Sequence, residues 1–348
     1  MLSILTYNDI NRDNWSALVR TSATGTWFQK PEAYDFLAST PDLFKPFVFG
    51  VYCDPAGTQT LKAQLRCVCV GYVTAEKSAV KQFLTRRAII IGGPCLADDA
   101  TDEEVYMLMR AVRQELSSTR SFVHSPIYIE TRNFNDYSQW RKAFEKAGFE
   151  YQPHLNFHVD TTSVELVDAN LGKSRKRDIR TTIREGVTIV EHPNETQVEE
   201  YYTILEKLYR TKVKTPLFPL KFFKELRRHK DARFLLTQLN GKIVGGTVCV
   251  EQEGKCLYEW FACGEDGAYP HVFPSCYATY AGIRYAAEHG CPRFDMMGAG
   301  KPDEAYGVRD FKAKFGGIEV EHGRFLCITK PILYRVGMLG VKMLKKLK

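Results

Sequence analysis

The fold is decided by two runs of sequence, Arg293-Phe294-Asp295-Met296-Met297-Gly298 and Gly307-Val308-Arg309-Asp310-Phe311-Lys312-Ala313-Lys314-Phe315-Gly316-Gly317. The pattern over 274–289 predicts a helix closed by Gly290, and residues 293–297 predict the strand that follows it. A loop with glycines then leaves the carboxyl end of that strand, where open α/β sheets tend to place their ligands. The two runs therefore predict an α/β domain with a ligand site at the end of this strand.

The second run carries two lysines, Lys312 and Lys314. Transfer of an acyl group to an amine passes through a tetrahedral oxyanion, which a fixed cation beside the oxygen stabilises. Either lysine suits that role. Alternatively, Phe311 and Phe315, four residues apart, pack inward while both lysines are solvated. Spacing alone favours this second interpretation.

The same order of elements is predicted in both halves of the chain. The second half has a basic helix over 173–184, a strand at 187–191, helices at 195–212 and 218–229, a hairpin around Asn240-Gly241, a strand at 255–264 and then the helix and strand above. The first half has strands at 46–53, 62–74 and 88–91, a helix at 99–118, a strand at 126–131, a helix at 137–147 and an extended stretch at 149–159. Element order alone indicates a duplicated α/β unit, because no sequence repeat is visible at a fixed period.

Composition narrows the class of protein. The 348 residues are 44% hydrophobic, enough for two cores, and no stretch reaches the roughly 20 apolar residues of a membrane span. The ten cysteines include no CxxC pair and no zinc spacing, which predicts buried free thiols, no metal and no cofactor. The first residues lack a signal-peptide pattern, so we expect a cytoplasmic protein.

Positive charge is concentrated in two short segments. Residues 172–184 carry six basic side chains and one acidic one, and residues 330–348 carry six basic side chains and no acidic one. At helical spacing the first segment forms a cationic stripe, with Ile179 and Ile183 marking the buried side. The stripe comprises Lys173, Lys176, Arg177, Arg180 and Arg184. It suits a phosphate backbone or a pyrophosphate; the alternative is a solvated helix face.

A family resemblance follows from these motifs. Phe294-Asp295-x-x-Gly298, then Gly307-Val308-x-x-Phe311-Lys312-x-x-Phe315-Gly316-Gly317, then Gly323-x-Phe325, resembles the C-terminal signature of the Fem-type peptidoglycan aminoacyltransferases. The resemblance implies two tandem GNAT-like (acyl-CoA N-acyltransferase) domains, each a mixed central sheet flanked by helices, in a compact form without a coiled-coil arm. We expect them at 1–160 and 161–325, with 326–348 as a C-terminal segment whose basic amphipathic helix packs back on the first domain.

The same resemblance implies site residues. It places Lys312 at the acyl-transfer centre, with Phe311 beside it and Asp295 on the preceding strand as substrate-binding residues. It gives substrate-binding roles to Arg210 at the end of a helix, to Tyr258 and Trp260 on one face of the strand 255–264, and to Gln29 in Trp27-Phe28-Gln29. From the residues alone, the preferred interpretation of Arg210 is a helix-terminal cation, and Tyr258 and Trp260, with Glu259 and Phe261 facing the other way, are core aromatics.

The absence of a glycine-rich loop indicates which acyl donor the protein uses. Enzymes of the GNAT fold that use acyl-CoA bind its pyrophosphate with a glycine-rich loop at a helix N-terminus. Residues 268–276 lack those glycines and contain two prolines, which have no N–H to offer. The preferred prediction is therefore an N-acyltransferase with an aminoacyl-tRNA donor and a nucleotide- or lipid-linked muropeptide acceptor, in peptidoglycan biosynthesis.

Two alternatives stay open. One is an acyl-CoA-dependent GNAT enzyme that acts on an amino sugar of a surface polysaccharide; the other is a non-catalytic member that binds RNA or a membrane. The C-terminal helix bears on the second. An apolar stripe, followed by lysines, predicts contact with the inner membrane face or docking on the first domain. The stripe is Ile332, Val336, Leu339, Met343 and Leu347.

Overall fold

The computed structural model describes residues 2–54, 64–74, 86–118 and 125–346. The chain divides into two compact units: unit 1 is Met1–Pro153 with His322–Lys348, and unit 2 is His154–Glu321. The sequence prediction placed these boundaries at 160/161 and 325/326. Unit 1 is therefore built from two separate segments of the chain, and unit 2 is one continuous segment.

Unit 1 begins with a short strand and alternates strands with helices. Its elements before the first boundary are β1 (Leu2–Thr6), α1 (Arg12–Thr21), a 3₁₀ turn (Trp27–Gln29), α2 (Pro31–Ala38), β2 (Phe44–Cys53), β3 (Gln64–Thr74), β4 (Ala88–Gly92), β5 (Cys95–Leu96), α3 (Asp102–Ser117), β6 (Tyr128–Asn133), a 3₁₀ turn (Ser138–Trp140), α4 (Arg141–Lys146) and β7 (Glu150–Gln152). A capping box between Thr101 and Glu104 fixes the start of α3. The predicted strand at 62–74 extends over two residues, 62 and 63, that lie outside the described residues.

Unit 2 has a similar order of elements. They are β8 (Leu155–Asp160), α5 (Val164–Asn170), α6 (Lys173–Arg184), β9 (Thr188–Val190), α7 (Glu195–Leu208), a π-helical turn (Tyr209–Val213), α8 (Leu220–Arg227), β10 (Ala232–Leu239), β11 (Lys242–Gln252), β12 (Cys256–Gly264), α9 (Pro274–Glu288), β13 (Arg293–Asp295), α10 (Gly307–Ala313) and β14 (Ile318–Glu321). Asn240 and Gly241, with φ of 50° and 80°, form the predicted hairpin turn between β10 and β11.

The chain then returns to unit 1 as β15 (Arg324–Ile328) and α11 (Pro331–Lys346). In unit 1 the strand order is β1-β2-β3-β4-β6-β15-β7, with β5 paired to β3; in unit 2 it is β14-β8-β13-β12-β11-β10-β9. Among the described strands each sheet has one parallel pair, β4 with β6 and β12 with β13. The predicted α/β fold, a mixed sheet with helices in each unit, is confirmed.

Each unit has its own hydrophobic core. In unit 1, α3 and α4 pack on the sheet, and the rings of Phe144 and Phe325 stack at 4.0 Å. In unit 2, α9 packs on β13 so closely that a Cβ at Gly282 would lie 2.9 Å from the Phe294 ring. All ten cysteines are free thiols, and nine of them are buried. None of the described helices combines the length and the apolar character needed to cross a bilayer.

Candidate active site

The parallel strands β12 and β13 are hydrogen-bonded over a short stretch and then separate. They are paired only at Leu257 with Phe294 and at Tyr258 with Asp295. Beyond that point β12 continues to Gly264, whereas β13 ends at Asp295. The corresponding pair in unit 1, β4 and β6, stays joined over five positions. The gap at the carboxyl end of β13 is therefore a feature of unit 2, where the sequence predicted the ligand site.

A β-bulge in β12 shapes one side of this gap. Val248 of β11 faces Phe261 and Cys249 faces Glu259, so Trp260 is the extra residue of the bulge. The Trp260 and Phe261 rings therefore both pack against Phe222 of α8, at 5.3 and 6.1 Å. The predicted alternation, with Trp260 and Phe261 on opposite faces, is wrong because the extra residue breaks the two-residue period.

Lys312 of α10 lies on the other side of the gap and is buried, with 8% of its surface exposed. Its Nζ donates to the carbonyl oxygens of Met297, at 2.7 Å, and Gly298, at 2.9 Å, and also to that of Met296. These three acceptors match the three N–H donors of an ammonium group. The interpretation in which both lysines are solvated is thus wrong for Lys312, although Lys314 is exposed.

Two buried carboxylates face the Lys312 charge. Burial lowers the pKa of Lys312, while the negative charges of Glu259 and Asp295 act in the opposite direction. Glu259 accepts hydrogen bonds from the hydroxyls of Thr279, at 2.9 Å, and Thr247, at 3.2 Å. Burial also raises the pKa of Glu259, against the effect of Lys312 and the two hydroxyls. The centre of the site is therefore a desolvated cation between two acids.

Asp295 connects this centre to β8. Its Oδ1 accepts from Asn156 Nδ2 at 2.7 Å and from the Met297 N–H at 2.8 Å, and its Oδ2 lies 3.1 Å from His158 Nε2. Burial alone would raise the pKa of Asp295, but His158, Arg293 and Asn156 together lower it. The Asn156 side chain also accepts from the Gly298 N–H at 3.1 Å. Side chains thus bond the N–H groups of Met297 and Gly298 and the three carbonyls of residues 296–298.

That backbone turns sharply after β13. Met297 and Gly298 have φ values of 48° and 66°, in the left-handed region that only glycine adopts freely. This turn explains why the predicted strand 293–297 ends at Asp295. The strained Met297 is kept in place because its carbonyl accepts from Lys312 and its N–H donates to Asp295, as expected where a site fixes its own geometry.

Phe311 lies beside Lys312 and contacts a cation that the sequence analysis did not single out. The Arg175 guanidinium sits 4.5 Å from the Phe311 ring centre and 5.2 Å from that of Phe315. Arg175 is also paired with Asp178 at 3.4 Å. Gly172 at the start of α6 donates to the Lys314 carbonyl at 3.0 Å. The N-terminus of α6 is therefore joined to α10.

The other predicted substrate-binding residues occupy different environments. Tyr258 is fully buried and Trp260 is half-buried, with Phe218 6.5 Å from the Trp260 ring. Phe218 belongs to the segment that follows Arg210, an exposed residue in the π-helical turn. Such turns recur at functional sites. Among the described residues, Arg210 makes no contact with Lys312.

Gln29 lies in unit 1 and has all its polar atoms bonded to the backbone. Its Nε2 donates to the carbonyls of Val70 and Ile91, both at 3.0 Å, and its Oε1 accepts from the Val70 N–H at 2.7 Å. The side chain is completely buried. Its observed contacts therefore join the 3₁₀ turn to β3 and β4.

The cationic stripe runs along the outer face of α6. Lys173, Arg177, Arg180 and Arg184 are exposed, and Lys176 is half-buried with its Nζ 3.1 Å from the Ala169 carbonyl oxygen. Within the described part of the chain, Lys173 and Arg180 form no ion pair. Ile179 is buried as predicted, but Ile183 is 48% exposed, so its assignment to the buried side is wrong. Thr182 takes the inner position instead and accepts from the Phe273 N–H at 3.0 Å.

The N-terminus of α9, which follows β12, is occupied by the protein's own groups. Pro274 has no N–H, the Phe273 N–H is bonded to Thr182, and the Ser275 N–H donates to Asp266 Oδ1 at 3.1 Å. The Ser275 hydroxyl donates to the other oxygen of the same carboxylate. A helix N-terminus normally attracts anions, and here a carboxylate already meets that preference.

The site contains residues that sequence reasoning did not select: Asn156, His158, Arg175, Glu259 and Asp266. The first two carried a signal, since polar residues alternate with apolar ones along β8. Glu259 was also visible as a lone acid in an apolar strand. Nothing in the sequence separated Arg175 from the cations of the stripe, or placed Asp266 at the start of α9, because both depend on tertiary contacts.

Comparison with known proteins agrees with this architecture. Residues 173–312 match the family model described as "Acetyltransferase (GNAT) domain". We find no significant match among curated proteins. A solved structure of FemX is 12% identical, with a TM-score of 0.67, over 96% of this chain and 99% of that one.

Two further solved structures share the arrangement. A tandem GNAT protein from the clavulanic acid biosynthesis pathway is 10% identical, with a TM-score of 0.55, over 94% of this chain and 99% of that one. L-PGS from Bacillus licheniformis is 13% identical, with a TM-score of 0.53, over 94% of this chain and 96% of that one. At such identities the likeness establishes the fold. The chain thus has the tandem GNAT fold seen in FemX, and residues 173–312 of its second half match an acetyltransferase (GNAT) domain.

Proposed function

We propose that this protein transfers an amino acid from aminoacyl-tRNA to an amine of a peptidoglycan precursor. The acyl-transfer centre is the gap between β12 and β13, and Lys312 is its catalytic cation. The acceptor is a muropeptide linked to a nucleotide or a lipid, and the protein works in the cytoplasm or at the inner membrane face. The Fem-type motif around Lys312 and the likeness to the FemX fold support the choice of acceptor.

The observation that carries the choice of donor is the carboxylate at the start of α9. A bound CoA would bring its pyrophosphate to this helix terminus, beside Asp266, and would find few amide donors there. Two like charges at close range repel each other. An aminoacyl ester of tRNA places no pyrophosphate at this point. The blocked terminus therefore favours the ester donor over a thioester.

In the proposed reaction the acceptor amine attacks the ester carbonyl directly. A C–N bond forms, the C–O bond to the ribose breaks, and the proton lost by the amine ends on the released ribose hydroxyl. Lys312 stabilises the negative oxygen of the tetrahedral intermediate. Since its three N–H donors are bonded to main-chain carbonyls, one of those bonds exchanges for a bond to the reacting oxygen. Phe311, Trp260 and Arg210 hold the acceptor, and Tyr258 and Asp295 support the site from within unit 2.

The donor assignment is tested with both donors side by side. We expect product from mixed aminoacyl-tRNAs and a nucleotide-linked muropeptide, detected by mass spectrometry, and no calorimetric signal with acetyl-CoA up to the millimolar range. In Asp266→Ser the repulsion is removed, and weak acetyl-CoA binding is expected to appear. Asp303→Ser, which removes an exposed carboxylate on another loop, is the control. Turnover of acyl-CoA by the unmodified protein, with no use of aminoacyl-tRNA, would establish the alternative, an acyl-CoA enzyme acting on an amino sugar.

The stripe on α6 supplies the proposed contact with tRNA phosphates. In the double variant Lys173→Glu and Arg180→Glu, we expect the KM for aminoacyl-tRNA to rise about tenfold or more while kcat changes little, because these side chains position the donor. The slope of the logarithm of the binding constant against the logarithm of salt concentration should also become less negative. The expected change is about 0.7 to 0.9 for each phosphate that the protein no longer neutralises. Lys142→Glu, an exposed charge reversal in unit 1, is the matched control.

The outcome also separates an enzyme from a binding protein. If neither the unmodified protein nor Lys312→Ala shows turnover while charge reversal on the stripe abolishes RNA binding, the catalytic proposal fails and the non-catalytic RNA-binding alternative stands. If the stripe variant binds and uses tRNA as the unmodified protein does, the phosphate-binding role of α6 is excluded.

A further inference from the structure

The last helix of unit 1 turns an apolar face outward. On α11, Ile332, Val336 and Leu339 are 79%, 55% and 57% exposed, and the neighbouring Met338 is 43% exposed. Their spacing of four and three residues puts the first three on one side of the helix. Single exposed apolar side chains are ordinary on a protein surface, but a continuous stripe of them marks an interaction site. The predicted stripe continues to Met343 and Leu347, which lie outside the side chains that the structure describes.

The opposite side of the helix attaches it to unit 1. The Tyr334 ring packs edge-to-face on Tyr128 of β6, with ring centres 5.7 Å apart. Lys330, just before the helix, is buried and donates to the Ser125 carbonyl at 2.9 Å. The helix is thus held to unit 1 near its first turn, whereas residues 335–339 are all exposed. Ile332, Val336 and Leu339 are exposed and take no part in that contact with unit 1.

The charges on and after α11 indicate which kind of partner can bind the apolar stripe. Arg335 is exposed on this helix, and the sequence continues with Lys342, Lys345, Lys346 and Lys348. No acidic residue lies between Glu321 and Lys348. A second copy of the protein would bring the same basic face against this one in a symmetric dimer, which like charges oppose. An RNA would satisfy the cations but leave the apolar stripe in water.

We propose that α11 lies flat on an anionic lipid bilayer, with Ile332, Val336 and Leu339 inserted at the boundary between headgroups and acyl chains. A helix with an apolar stripe and basic residues binds in this way, because apolar burial and attraction to anionic headgroups add together. The inference names the surface for the membrane contact in the proposed function. It concerns recruitment only, so it holds or fails separately from the transfer reaction.

Vesicle binding tests the proposal. We expect the protein to co-sediment with phosphatidylglycerol-containing vesicles, to bind phosphatidylcholine vesicles weakly, and to be released by salt. In the triple variant Ile332→Ser, Val336→Ser and Leu339→Ser, binding should fall at least about tenfold, because the apolar area that enters the bilayer is removed. All three side chains are exposed, so the fold of unit 1 should be unaffected. The control is Ile318→Ser, since Ile318 is 71% exposed on β14 in unit 2.

Three results would overturn the inference. They are equal binding of the triple variant and the unmodified protein, equal binding to neutral and anionic vesicles, and a lipid-free dimer that the triple variant dissociates in sedimentation velocity. Transfer to a soluble nucleotide-linked acceptor, measured without vesicles, should be the same in the triple variant. If the unmodified protein transfers to the soluble acceptor but does not bind anionic vesicles, only the membrane proposal fails; if it binds the vesicles but transfers nothing, only the proposed function fails.

Discussion

Replacement of Lys312 by methionine is expected to lower turnover by about 10²- to 10³-fold, the usual loss when one donor to a reacting oxyanion is removed. The effect should fall on kcat more than on KM, since the proposed interaction forms in the transition state. Steady-state rates with aminoacyl-tRNA and a nucleotide-linked muropeptide measure it. Methionine keeps the length and apolar stem of lysine and removes only the charge and the three donors.

The same substitution is expected to destabilise unit 2. It leaves the carbonyls of residues 296–298 without the ammonium and removes the cation that faces Glu259 and Asp295. Breaking a buried charge arrangement in this way costs about 3–5 kcal/mol. Hydrogen–deuterium exchange of peptides that cover 293–300 should report faster opening.

Lys314→Met is the matched control, because Lys314 lies two residues further along and is exposed. It should keep both turnover and exchange rates. The catalytic proposal is contradicted if Lys312→Met accelerates exchange at 293–300 while the folded enzyme still turns over within a few-fold of the unmodified rate. In that case the lysine only holds the loop.

A second large effect is expected in unit 1, at Glu130 of β6. Its carboxylate accepts from Arg324 of β15 at 2.8 Å and from Arg132 at 3.0 Å. Although burial opposes it, the two arginines lower the pKa of Glu130 from 4.5 to about 2. A depression of this size corresponds to about 3 kcal/mol of folding free energy at neutral pH. Glu130→Gln should lose that contribution.

The pH dependence follows from the direction of the shift. A carboxyl whose pKa is lower in the folded state stabilises the fold above its unfolded pKa, and the contribution disappears as pH falls through the folded pKa. The free energy of unfolding of the unmodified protein should therefore fall by about 3 kcal/mol between roughly pH 4.5 and pH 2 because of this group. The free energy of unfolding of Glu130→Gln should depend less on pH in that range. Urea unfolding at a series of pH values measures the difference.

The unfolding of unit 1 can be measured separately from that of unit 2 by tryptophan fluorescence. Three tryptophans, Trp15, Trp27 and Trp140, are buried in unit 1, and the fourth, Trp260, lies in unit 2. In a Trp260→Phe background, fluorescence therefore reports on unit 1. Glu115→Gln, at an exposed position of α3, is the control and should retain the acid-dependent loss. Parallel pH curves for Glu130→Gln and the unmodified protein would contradict the assignment.

The fold was largely predictable because it rests on local signals. The basic helix 173–184, the Asn240-Gly241 hairpin and the helix beginning at Pro274 lie where spacing, turn chemistry and a proline at the first helical position placed them. The ends of β13 and α7 were harder to place. They depend on a left-handed turn at Met297 and on a π-helical turn at Tyr209–Val213, and neither has a propensity signal.

The site was less predictable because its geometry comes from long-range contacts. The motif drew attention to Lys312, but only the fold shows that this lysine is bonded to three carbonyls and faces Glu259. The faces of Trp260 and Phe261 were inferred from strict alternation, and one extra residue in β12 was enough to break it. A carboxylate at the start of α9 becomes visible only when Asp266 and Ser275, nine residues apart, are brought together.

The position of β15 bears on how the protein is made. This strand lies between β6 and β7, yet the ribosome makes it after all of unit 2. Unit 2 is one continuous segment and can fold as soon as it has been synthesised. The sheet of unit 1 is complete only after residues 324–328 have been synthesised, and until then the facing edges of β6 and β7 are unpaired. Chains terminated before that point would keep those edges unpaired. Such chains are prone to aggregation and are expected to bind chaperones.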